Sequence, residues 1–127
     1  MPPVDLGHAL AGLAFLVGPE TVPPLDGSHD SFVQLGQLGD RGLFVSTFSG
    51  KTPWERHHAD ELLLVLDGEA NLVVLSDGNE QPARLSKGRF LVVPEHTWHR
   101  FETPGIQILG LTPQPTETCP NDRLPTE

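Results

Sequence analysis

The chain has 127 residues, a formal net charge of −9 (8 Lys and Arg against 17 Asp and Glu), 13 Gly and 13 Pro. That length suits one domain around one core, and so many breakers exclude long helices in favour of short strands and tight turns. The acidic balance, with no Lys/Arg cluster, makes nucleic acid and membrane surfaces unexpected partners, since both call for a basic face.

Leu6, Leu10, Leu13 and Val17 follow helical spacing after Pro2 and Pro3. This predicts a short N-terminal helix, weakened by Gly7 and Gly12, or an extra strand after residue 12. The apolar stretch LAGLAFLVG at 10–18 is too short to span a bilayer. The opening MPPVDLGH carries an acid where a secretory signal is basic, so a cytoplasmic protein is expected. Residues 18–30 read as a loop, and 1–30 together as a segment packing on the domain that follows.

From Phe32 the pattern turns all-β, with candidate strands at 32–38, 42–49, 54–58, 61–67, 70–76, 83–85, 89–93, 97–102 and 106–111. Turn signals stand at Gly39–Asp40, Gly50–Pro53, Asp67–Gly68, Asp77–Gly78–Asn79 and Pro104–Gly105. Asp67–Gly68 between two apolar runs predicts a two-residue hairpin, because both turn positions take φ > 0. Short strands at this spacing predict a sandwich or barrel over 31–112. The Pro-rich residues 113–127, with no core residue beyond Leu124, are expected as an extended or frayed tail. Within it the lone Cys119 has no partner for an internal disulfide. LLLVL (62–66) and FLVV (90–93) are apolar on both faces, so a second sheet, the N-terminal segment or another subunit covers the outer one. A homodimer is the expectation.

The chemistry lies in WERHHADE (54–61) and LVVPEHTWHRFE (91–102). Residues two apart on a strand share a face, so Glu55 and His57 point together, with Trp54, Arg56 and His58 opposite. If the strand phase holds through the turn, Glu61 returns to the first face. His99 shares its face with Thr97 and Phe101, with Trp98 and Arg100 opposite. His57, Glu61 and His99 can then meet inside a barrel, as two imidazoles and a carboxylate. That set serves non-haem Fe(II) oxygenases and, with water, catalytic zinc. The same parity puts Phe90 and Val92 on the His99 face, with Thr47, Gln34 and Gln107 as candidate pocket polar groups. No Lys or Arg falls on the inner face of these strands, which favours a small neutral or weakly polar ligand. His8 and His29 lie outside both stretches.

His57-x3-Glu61-x6-Gly68 and Gly88-x5-Pro94-x4-His99 resemble the two motifs of the cupins, G-x5-H-x-H-x(3,4)-E-x6-G and G-x5-P-x-G-x2-H-x3-N, over residues 42–111. The resemblance implies a double-stranded β-helix (jelly-roll) barrel with a divalent ion inside, commonly Fe, Mn, Zn or Ni. Carried over by position, the ligands are His57, Glu61 and His99. The chain departs from the motifs at Glu55, where a histidine is usual, and at Ser49, His96 and Thr103, where Gly, Gly and Asn are usual. Three arrangements follow: Glu55 is a fourth ligand; Glu55 is a catalytic base beside a three-ligand ion; or there is no metal. His58 faces outward, and His96 sits in the turn before His99. Trp54 and Trp98 are expected to pack outside the barrel. The functional expectation is a metal-dependent oxygenase or isomerase acting on a small molecule. The alternative is a non-catalytic ligand-binding or sensor cupin without an open metal site.

Overall fold

The computed structural model describes residues 2–13, 16–17, 32–120 and 122–126. The expected loop at 18–30, with His29, lies outside them. At the N-terminus both expected elements occur. Helix α1 (Leu6–Ala11) is capped by Asp5, whose carboxylate accepts the His8 N–H at 2.9 Å. Strand β1 (Leu16–Val17) follows and runs parallel to β3 (Arg41–Lys51).

The remaining strands are β2 (Phe32–Leu38), β4 (Trp54–His57), β5 (Glu61–Ser76), β6 (Asn79–Ser86), β7 (Phe90–Val93), β8 (His99–Pro113) and β9 (Thr116–Cys119). They form one curled sheet in which β8 is the spine. Along one edge β8 pairs with β5 from Leu62↔Leu111 to Val74↔His99. Along the other it pairs with β3 and, at Glu55↔His99, with β4. The result is the expected all-β jelly-roll barrel. Phe48, Leu63, Val65, Leu72, Ile106 and Ile108 fill its core, each such burial favouring the fold by about 1.5–3 kcal/mol.

Two expected turns are absent. β5 runs through Asp67–Gly68 and β8 through Pro104–Gly105, so neither is a hairpin. Gly68 does take φ +83°, but it serves a bulge: the β5–β8 register shifts on either side of it. A Cβ there would collide with the Gly105 carbonyl oxygen. Thr103, at the position where the motif usually has Asn, holds the irregularity. Its hydroxyl donates to the Glu69 carbonyl and accepts the Gly105 N–H at 3.0 Å. The glycine signal marks a bend of two long paired strands, and only the partner strand distinguishes that from a reversal.

The expected frayed tail also differs, since β8 continues to Pro113 and residues 116–119 form β9 on the free edge of β4. Arg56 of β4 meets Glu117 of β9 through two hydrogen bonds, at 3.2 and 3.1 Å. A tail of this composition lacks apolar periodicity because edge pairing and ion pairs hold it.

Parity is correct for the motif strands and wrong for β7. Phe90 and Val92 are 65% and 49% exposed, while Val93 is buried in the core and Leu91 packs against it. Between Val93 and His99 the chain turns through His96 at φ +58°, so alternation is not carried across.

Candidate metal centre

β4 and β8 lie side by side with Glu55 directly opposite His99. On the outer face this register sets Trp54 against Arg100 and Arg56 against Trp98. The guanidinium carbons stand 4.5 and 4.6 Å from the indole centroids. Two cation–π pairs therefore pin the strands whose inner faces carry the site. Trp54 is buried and packs outside the barrel, as expected.

The two motif ends are also tied through backbone. The His96 N–H donates to the His57 carbonyl at 2.7 Å, and the Glu95 N–H to Asp60 Oδ1 at 2.9 Å. His96 reaches that carbonyl from a left-handed conformation, so it takes the backbone role for which Gly is suited while keeping a side chain.

Inside, one ligand atom each from Glu55, His57 and His99 lies within 4.8 Å of the others. Glu61 Oε1 sits 3.3 Å from His57 Nε2 and 3.0 Å from His99 Nε2. His57, Glu61 and His99 are all buried, and Glu55 is partly exposed. The four residues named from the sequence thus come together. His58 stands outside, exposed, 3.6 Å from Asp40 Oδ2, and His96 is exposed beside Glu95.

The far sides of three of these groups are occupied. His99 Nδ1 is 2.9 Å from the Thr97 carbonyl, which only accepts, so Nδ1 carries the proton and Nε2 keeps its lone pair when the ring is neutral. His57 Nδ1 is 3.2 Å from the Thr116 hydroxyl. Thr112 donates to Glu61 Oε2 at 2.7 Å. On the near side, buried His57 Nε2 and Glu61 Oε1 meet each other and His99 Nε2, with no further hydrogen-bond partner among the described residues. Two imidazoles and two carboxylates are a donor set that an Fe, Mn, Zn or Ni ion accepts. Outer groups already orient three of them, as metal ligands require. The residues fit a divalent ion.

Charge agrees with geometry. Burial pushes the Glu55 carboxyl up from its usual value, with Glu61 adding to the rise while His99 and His57 oppose it. Burial acts the same way on Glu61, but the two adjacent imidazoles outweigh it and hold that carboxyl well below the usual range. Burial disfavours a charged His99, yet Glu61 and Glu55 prevail and raise it. Glu61 and His99 therefore form a charged pair without an ion, and Glu55 is the carboxyl more ready to hold a proton.

The polar lining includes Ser46, Thr52 and Thr112 rather than the expected Thr47, Gln34 and Gln107. Thr47 and Gln107 form an opposed pair on the other face, and Gln34 bonds the Gly36 carbonyl and Gln37. Phe44, Ser46 and Phe48 take the cavity face of β3, leaving Thr47 opposite, and the β3–β8 bulge between Thr103 and Ile106 shifts the alternation from His99 to Gln107. Thr116 was also missed, because β9 gives no strand signal.

Among curated proteins, none matches the chain. Solved structures share the fold. A cupin superfamily protein from Desulfitobacterium hafniense DCB-2 superposes with a TM-score of 0.57 at 23% identity, over 66% of this chain and 76% of its own. A protein from Neisseria meningitidis gives 0.63 at 16% identity, over 89% and 100%. Hydroquinone 1,2-dioxygenase in complex with Cd2+ and 4-hydroxybenzonitrile gives 0.58 at 20% identity, over 76% and 68%. The family model of the cupin domain matches residues 45–109, which hold both motif strands and all four converging side chains. The chain belongs to the cupin superfamily.

Proposed function

We propose that this cupin is a mononuclear metal-dependent enzyme acting on a small molecule, with oxygenase chemistry the reading its donor set supports best. One observation carries the proposal. Ligand atoms of Glu55, His57 and His99 lie within 4.8 Å of one another, and the two ring Nε2 atoms share Glu61 Oε1 at 3.3 and 3.0 Å. Glu55, His57, Glu61 and His99 are the proposed ligands. A divalent ion held there would supply Lewis-acid polarisation and, if redox-active, pass electrons to O2 as the substrate is oxidised. Glu55, raised by burial, is suited to exchange a proton with a bound molecule at its carboxylate oxygen. His57 and His99 stay oriented through Thr116 and the Thr97 carbonyl, and phenylalanines form the apolar wall of the approach.

A cobalt-loaded sample tests the reading. Added azide is expected to change the visible d–d bands, because four protein donors leave room for exogenous ligands. Cobalt bands indifferent to azide would instead support the non-catalytic ligand-binding alternative, in which the protein closes the coordination sphere.

The proposal includes a homodimer. On the outer face, rows Val92–Leu62–Leu111 and Phe90–Leu64–Leu109 run across β7, β5 and β8 as one apolar surface. A second copy of that surface is its proposed cover.

A further inference from the structure

The cavity over the proposed metal centre has a volume of about 80 Å³ and opens to solvent. Four phenylalanines line it. Phe32 and Phe44 lie 5.9 Å apart at 59°, and Phe48 and Phe101 lie 5.4 Å apart at 70°, edge to face. Each pair is tilted, so the walls offer both ring faces and ring edges. Glycines shape the space further. A Cβ on Gly42 would stand 2.5 Å from Phe44 Cε2, so the Phe44 ring occupies room that only glycine leaves. Gly110, opposite Phe44 in the register and beside Leu63, leaves bare backbone in the lining, where a Cβ would meet Thr112 Oγ1 at 3.2 Å.

The charged lining is one-sided. Glu55 and Glu61 face the cavity with His99. Arg100 also borders it, but its guanidinium is held by Glu80 and Glu102 at 3.0 and 3.2 Å and lies over Trp54 on the outer face. A carboxylate or phosphate ligand would meet two carboxylates with no free Lys or Arg clamp in the described lining, and those two carboxylates balance the charge of a divalent ion. Thr112 and Thr52 are engaged with Glu61 and with the Phe101 N–H, so Glu55, beside the smaller Ser46, is the charged acceptor offered to a ligand hydroxyl.

Resting on the reading of this cavity as the reaction chamber, the geometry points to a neutral monocyclic phenol as its ligand class. The ring packs among Phe44, Phe48 and Phe101 and over Gly110, and the hydroxyl donates to Glu55. A water takes roughly 10–15 Å³ of such space, so the cavity has room for roughly five to eight water-sized groups, about the heavy atoms of one six-membered ring with its hydroxyl.

Calorimetric titration of metal-free and zinc-loaded protein with phenol, cyclohexanol and benzoate tests this. The two ring alcohols bury similar area, and only phenol gains edge-to-face contacts, so it is expected to bind about tenfold tighter in both samples. Benzoate is expected not to bind the metal-free protein. Phe44→Leu, with its fold checked by circular dichroism, is expected to narrow the phenol–cyclohexanol gap to about threefold. Equal binding of the two alcohols, measurable benzoate binding to the metal-free protein, no binding of any of the three, or an unchanged gap in Phe44→Leu overturns the assignment. Zinc content is read on the same samples. Zinc uptake without phenol selectivity defeats the ligand class alone, and phenol selectivity without zinc uptake defeats the metal reading alone.

Discussion

His99 has a raised affinity for the proton against which a metal ion at Nε2 competes. Burial lowers its affinity for that proton, but Glu61 at 3.0 Å and Glu55 reverse the effect and raise its pKa above the ordinary 6.5. In the metal-free protein the stabilising pair is therefore complete below the unfolded value of 6.5 and is lost as pH rises through the higher folded value. Metal binding runs the other way, since the ion competes with the proton. We expect apparent zinc affinity to weaken by up to tenfold per pH unit below the folded His99 pKa. Thermal melts at pH 6 and 8.5 should show the metal-free form losing stability as pH rises while the zinc form gains. Parallel pH profiles for the two forms would contradict the pairing. At His96 the prediction concerns backbone. With φ at +58°, His96→Gly should stabilise the protein by about 0.5–1 kcal/mol in urea unfolding, and a loss of stability would show that the imidazole has a role of its own.

Among elements, β4 depends on strands far from it in sequence. Its four residues carry two of the proposed ligands, and β8 and β9 hold it on either side. Thr116 of β9 touches the far nitrogen of His57. Thr116→Val keeps the strand but removes that contact, and should lower zinc affinity by about tenfold or more with little change in the far-ultraviolet circular dichroism spectrum. Unchanged affinity would leave β9 with a packing role only. Much of this region was legible in the sequence. Period-two alternation placed Glu55 and His57 on one face, and the cupin motifs placed Glu61 and His99 with them. What escaped was set by partners instead of by local pattern. Asp67–Gly68 carries the residues of a hairpin yet bends a continuous strand, because β8 follows it on the other side. Residues 116–119 have no apolar period, yet β4 supplies an edge for them. Phe90 and Val92 point outward because the left-handed His96 turn breaks the count between them and His99.

For the whole molecule, the curled sheet puts polar chemistry inside and a broad apolar surface outside, the reverse of what solubility alone favours. Phe90 at 65% exposure and Val92 at 49% stand on that surface over Leu62 and Leu64. If a second copy covers it, light scattering gives twice the 13.8 kDa chain mass, and Val92→Glu shifts the protein to monomer without unfolding it. A monomer for the unsubstituted chain at micromolar concentration would contradict the dimer. The central claim is that Glu55, His57, Glu61 and His99 hold a divalent ion, and metal content tests it most directly. Plasma emission on tag-free protein incubated with Fe, Mn, Ni or Zn and then desalted should find about one ion per chain, and His99→Ala should lose it. Unsubstituted protein that retains none of the four ions would contradict the account.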